Sequence, residues 1–257
     1  LNPELLGPIA MDLAYVPLLS LQRELYEIPR GRERFEAYLA AMLDEARDDV
    51  RLAPLGVMNP MAREHVASRL DEWLALDADA IGAQAVAEVS NRLSDIPGSF
   101  RIGLVVVDDT RGGWTNRYAV AYGNAFEDAA TRKRQWLSAL LWSSEPASAK
   151  AAREAVLTTV FRGAYIQRHG PTRTLRDRLD QEGYALASAG CDGPTLDPDD
   201  LAYTRDVLSP LLDAEDRRTG IECLYGDNAA RSLGLTPRGL SDNAGLALAL
   251  AGAQGRT

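Results

Sequence analysis

The residues best suited to chemistry gather in VVVDDTRGGWTNRY, from Val105 to Tyr118, where a β-branched run ends in paired carboxylates. Asp108 and Asp109, leaving a buried strand, can ligate a divalent cation, or share a proton so that one carboxyl titrates high. The structural alternative is that one aspartate caps the next turn while the other faces water. Gly112-Gly113 can let the backbone approach a ligand or simply supply a turn with positive φ. It matches neither a Walker loop nor a GxGxxG fingerprint. Arg111, Trp114, Asn116 and Arg117 complete the stretch as candidate ligand contacts, the arginines for an anionic group.

What positions these groups is a recurring pattern of short apolar run, polar corner and helix. FRIGLVVV is continuous, β-branched and preceded by Pro97-Gly98, which predicts a buried strand. LAPLGVM, QWLSALLW, YALASAG and GIECLY read as weaker strands, because a short apolar run also suits a buried helix. Asn59-Pro60 reads as a helix cap with proline in the first turn, as does Asp197-Pro198. For residues 114–122 two readings stand. Thr115 caps a helix, or WTNRYAVAY returns as a hairpin strand; the long charged sequence that follows favours the helix.

Open parallel sheets bind ligands beyond the carboxyl ends of their strands, where helix N-termini point free N–H groups. If the alternation forms βα units, that edge collects Asn59, Asp108, Asp109, Arg111, Asn116, Ser143, Ser144 and Glu145. His65 falls in the second turn of the helix after Asn59-Pro60 and faces the same edge, whereas His169 ends its helix at the other. An imidazole there can act as general base or metal ligand, and Glu145 can share the acid–base work. A lone histidine on a helix is also commonly structural.

Apolar residues from Ile9 to Ile28 fall on helical spacing, and GRERFEAYLAAMLDEARDDV predicts an amphipathic helix with Phe35, Leu39, Met42 and Leu43 on the apolar face. The expected fold is therefore α/β, helix-rich, with a small parallel or mixed sheet of βα units; the alternative is mostly α with one hairpin. A single domain over residues 1–257 is the simpler organisation, with residues 1–50 as a helical appendage.

The bulk numbers narrow the function classes. A net charge of −9 disfavours non-specific binding to nucleic acid or anionic membranes. Only Lys133 and Lys150 are lysines among 28 basic residues, a bias that coding composition of a bacterial kind explains without special chemistry. Cys191 and Cys223 form neither a CxxC nor a disulfide framework, which fits a reducing cytoplasm. No run reaches the roughly 18 apolar residues of a membrane span. LNPELLGPIAMD lacks a basic n-region, so it is not read as a signal peptide, and a chain starting on Leu is expected to have lost residues before it.

Two local likenesses are weighed and set aside. RHGPT, at Arg168 to Thr172, resembles the Arg-His-Gly-x-Thr tract of histidine phosphatases, but it follows a helical segment and no histidine comes after it. NAARSLGLTPRGLSDNAGLALAL resembles a helix-turn-helix, with Ala230, Gly234 and Leu240 at the motif's small, turn and core positions. Its second helix would carry Pro237, Arg238, Gly239, Ser241 and Asp242; two glycines weaken it as a helix and Asp242 would face phosphate, which argues against DNA binding.

The expected function is an enzyme or binding protein for a small polar or anionic molecule, with a divalent cation as a candidate cofactor and a homo-oligomer allowed. The alternatives are a nucleic-acid-binding regulator acting through the C-terminal segment, and an assembly protein without catalysis.

Overall fold

The computed structural model describes residues 11–110 and 115–255. It is a helix-rich α/β fold with three parallel strands, β1 (Asp12–Tyr15), β2 (Ser99–Val107) and β3 (Trp136–Trp142), in that spatial order. In chain order the helices are α1 (Leu19–Leu25), α2 (Arg32–Met42), α3 (Glu64–Ala75), α4 (Ala78–Ser90), α5 (Arg117–Phe126) and α6 (Ala129–Lys133). After β3 come α7 (Ala149–His169), α8 (Leu175–Ala189), α9 (Pro198–Leu208), α10 (Arg217–Tyr225), α11 (Asp227–Ser232) and α12 (Ala244–Ala253). The described residues of Leu1–Thr115 and Asp128–Val160 form one compact unit, and those of Asn116–Glu127 and Phe161–Thr257 a second.

The first unit is organised by β2. Its residues from Ile102 to Val107 are all buried, as a central strand flanked on both sides requires. β1 stops with Tyr15 opposite Ile102, five residues short of the end of β2. Beyond that point a side chain continues the ladder. The fully buried Gln22 of α1 donates from Nε2 to Val106 O at 2.7 Å and accepts from Val106 N at 2.9 Å. Gly103 permits this approach, since a Cβ there would meet Leu18 Cδ1 at 2.5 Å and Val16 O at 3.2 Å.

Several elements differ from the sequence-based reading. The spacing from Ile9 to Ile28 suggests helix, yet Asp12–Tyr15 is strand and only Leu19–Leu25 is helical; Pro17 separates the two. On α2 the buried face carries Arg34 and Tyr38, and Phe35 is 40% exposed. LAPLGVM forms a 3₁₀ helix, Ala53–Val57, with proline in its first turn. YALASAG lies in α8 and GIECLY in α10.

Those last two runs are apolar because they are helix faces packed in the second unit. α12 is apolar all round and largely buried, with Ala244, Gly245, Ala247, Leu250 and Ala251 all shielded from solvent. Its neighbours approach closely through glycines: a Cβ on Gly183 would lie 2.6 Å from Ala249 O, and one on Gly245 would lie 2.4 Å from Cys223 O.

The helix-turn-helix likeness ends at α11. Gly234 takes φ +65°, but residues 235–243 form no helix. Asp227 instead accepts from the N–H groups of Arg238 (2.8 Å), Gly239 (3.2 Å) and Leu240 (3.1 Å), fixing the segment as a loop. Arg238 Nε closes on the buried Glu222 at 2.8 Å, so the segment lacks a recognition helix.

Candidate functional site

Asp108 is the first residue beyond β2, and Ser143 the first beyond β3. Ser143 N still donates to Val107 O at 3.0 Å, so the ladder extends one bond past the strands and holds the two corners side by side. The side chains of these corners form two hydrogen-bonded groups.

The first group centres on Asp108, which is 9% exposed. Its Oδ2 accepts from Asn59 Nδ2 at 2.9 Å, and its Oδ1 faces His65 Nε2 at 2.8 Å. Asn59 is held in turn: its Oδ1 accepts from Met61 N at 3.0 Å and its carbonyl from the Tyr26 hydroxyl at 2.6 Å. With Oδ1 accepting, Nδ2 must be the atom on Asp108, which fixes the amide orientation. Burial, and then the Asp108 charge, push the Tyr26 phenol well above its ordinary range, so it stays a donor. Arg34, itself buried, donates to Ile28 O at 2.7 Å and Ala62 O at 3.2 Å and ties down the turn that carries Asn59.

A carboxylate only accepts, so the neutral imidazole of His65 carries its hydrogen on Nε2 and its lone pair on Nδ1. Nδ1 has no partner among the described residues, and the side chain is 34% exposed. Asp108 thus fixes the ring orientation from the Nε2 side and leaves Nδ1 without a partner among the described residues.

The second group centres on Asp109. Its Oδ1 accepts from Ser144 N at 2.9 Å and Ser143 Oγ at 3.1 Å, and its Oδ2 from Ser144 Oγ at 2.6 Å. Thr110 Oγ1 lies 2.7 Å from Ser143 Oγ. Since the Ser143 hydroxyl gives its hydrogen to Asp109, Thr110 is the donor to Ser143. Arg69, one helical turn after His65 on α3, donates from Nε to Ser143 O at 3.2 Å and links that helix to this corner.

Asn59, His65, Asp108, Asp109, Ser143 and Ser144 are thus drawn to the carboxyl ends of β2 and β3. Two details differ from expectation. Asn59 closes an Asx turn rather than capping a helix; α3 starts at Glu64, which puts His65 in its first turn and not its second. Glu145 sits in the turn leaving β3, its N–H on Trp142 O at 3.1 Å.

Asn116 and Arg117 belong to the second unit, where α5 resolves the choice at residues 115–122 in favour of helix. The cap is Asn116, accepting from Ala119 N at 3.1 Å, rather than Thr115. Arg111 and Trp114, with Gly112-Gly113, lie outside the described residues. His169 stacks on Tyr165 with ring centroids 4.5 Å apart, and Gly170 ends α7 with φ +81°.

All four carboxylate oxygens of Asp108 and Asp109 accept from protein donors, and among the described residues no group of three or more His, Cys, Asp or Glu is arranged to hold a metal. A divalent cation would need donors that the described residues do not bring together. Arg34 and Arg69 were not legible as site residues. The signal for Arg69 was its four-residue offset from His65; Arg34 gave none, because its partners are backbone carbonyls.

Among the described residues no helix is long and apolar enough to cross a membrane, and Cys191 and Cys223 are buried free thiols. Comparison of the chain with protein-family models, curated proteins and solved structures finds no match.

Proposed function

We propose that this chain is an enzyme or binding protein for a small polar or anionic molecule, held at the carboxyl ends of β2 and β3, with the Asp108–His65 pair moving a proton. One observation carries the reading: His65 is oriented through Nε2 by a buried carboxylate while Nδ1 has no partner among the described residues. Surface histidines with a purely structural role do not need a buried, doubly anchored carboxylate, which costs desolvation energy to maintain. Asn59 and Arg34 supply the rigidity that a positioned general base requires. Asp109, Ser143 and Ser144 add a polar wall that can meet hydroxyl or amide groups of a ligand.

The reading is tested by thermal shift with a panel of phosphorylated, carboxylated and hydroxylated molecules of metabolite size. A ligand at 100 times its Kd stabilises the fold by about 2.7 kcal/mol, readily seen in a melt. Support is a hit whose shift disappears in both His65→Gln and Asp108→Asn. A panel in which no hit depends on His65 and Asp108 overturns the reading.

A further inference from the structure

The amino end of the same sheet carries a second set of chemically active groups. An open pocket of about 650 Å³ lies within the first unit, lined by Asp44, Asp49, Arg51, Arg101, Lys133 and Arg134 among others. Arg101 precedes Asp108 by seven residues on β2, about 23 Å at ~3.3 Å per residue, so this pocket is separate from the proposed proton-transfer site.

We propose that this pocket binds a small polyanion, a phosphorylated or polycarboxylated molecule, through Arg51, Arg101 and Lys133. The chain as a whole is acidic, with net charge −9, yet this lining gathers four cations and two carboxylates. Both carboxylates are already engaged. Asp44 Oδ1 accepts from the N–H groups of Asp48 at 3.1 Å and Asp49 at 3.4 Å, and Asp49 pairs with Arg134 Nε at 2.6 Å. With Asp49 paired to Arg134, three cations face an incoming group against the single charge of Asp44.

Two of the three are held in place by one buried ring. The Arg101 guanidinium lies 4.4 Å from the centroid of Trp136, and its Nη2 donates to Arg134 O at 3.1 Å. Trp136 Nε1 donates to Arg51 O at 2.9 Å, fixing that segment of backbone. Arg101 keeps Nε and Nη1 without acceptors among the described residues, and Arg51, which uses Nη2 on Ala41 O at 3.3 Å, keeps the same two. Lys133 is exposed, and its charge, with that of Arg134, already acts on Asp49. Preorganised donors of one sign around a volume of ligand size are what recognition of phosphate or carboxylate requires. The acidic remainder of the surface selects against long polyanions and leaves small ones.

The test is isothermal titration with sodium pyrophosphate and with sodium citrate at constant ionic strength. The wild-type chain is expected to bind one or both saturably with 1:1 stoichiometry, the tighter of the two naming the anionic group. Lys133→Gln, which removes an exposed side chain and should leave the fold intact, is expected to weaken binding about tenfold, as loss of one charged contact does. Arg101→Gln should weaken it at least as much, with melting curves confirming that both variants are folded. His65→Gln should leave it unchanged. Absence of saturable binding, binding indifferent to Lys133→Gln, or binding lost in His65→Gln alone would each overturn the proposal.

Discussion

His65 Nε2 and Asp108 Oδ1 are 2.8 Å apart, joining the first turn of α3 to the corner that follows β2. The bond assigns each ring nitrogen its role, because an ionised carboxylate accepts and cannot donate. The neutral ring should therefore be the Nε2–H tautomer. Long-range ¹⁵N–¹H correlation of His65 checks this, and Asp108→Ala should return the ring to a mixture of tautomers. A dominant Nδ1–H form in the wild type would contradict the geometry.

Gln22 stands in for a missing strand residue opposite Val106. Gln22→Leu keeps the bulk but leaves a buried N–H and a buried C=O without partners, at roughly 1–3 kcal/mol each. Urea unfolding should show a loss of about 2–6 kcal/mol. A loss below about 0.5 kcal/mol, the range of ordinary surface changes, would mean that the amide does not complete the ladder.

Glycines in the second unit differ in what surrounds them, and alanine should separate them. Gly245→Ala would press a Cβ to 2.4 Å from Cys223 O and 2.8 Å from Leu224 Cα, backbone atoms that cannot step aside. It should cost at least about 1–3 kcal/mol. Gly123, inside α5, has only Glu127 Oε2 at 3.8 Å, so Gly123→Ala should stabilise by up to about 1 kcal/mol. Chemical denaturation of the two variants should show opposite signs.

Two carboxylates should respond to pH in opposite directions. Asp177 is held below the usual range by backbone N–H donors of Thr174 and then Arg173 in the capping box of α8. A lowered folded pKa gives stability that is present above the unfolded value, ~3.9, and lost as pH falls through the folded one. Asp177→Ala should thus be destabilised near neutrality and converge with the wild type in acid. Asp79 is pushed up by burial, which outweighs the hydrogen bond from Tyr15. Its contribution is present below ~3.9 and lost as pH rises through the folded value. Asp79→Asn should gain on the wild type over that rise. Melting temperatures across the acid range read both trends.

Much of the site's placement was legible because a buried parallel strand announces itself. After Arg101, FRIGLVVV has no polar position until Asp108, and after Gln135, QWLSALLW has only Ser138, so the corners after both strands could be read from residue type. The rule that such corners face ligands then brought His65 and Asn59 into the same argument. YALASAG and GIECLY misled for the same reason, since a helix face buried against α12 is as apolar as a strand. β1 was missed because four residues beginning with Asp12 carry too little pattern to outweigh the helical spacing around them. The burial of Arg34 and Gln22 could not be read at all. Their partners are backbone groups of Ala62 and Val106, remote in sequence and silent in residue type.

The central claim, a ligand site at Nδ1 of His65, is tested most directly by NMR titration of a fragment library, following the His65 ring signals and the Ser144 amide. Fragments should shift both sets of signals together, and Asp108→Asn should abolish the response while the protein remains folded. Fragments that bind elsewhere and leave His65 and Ser144 unmoved would contradict the account.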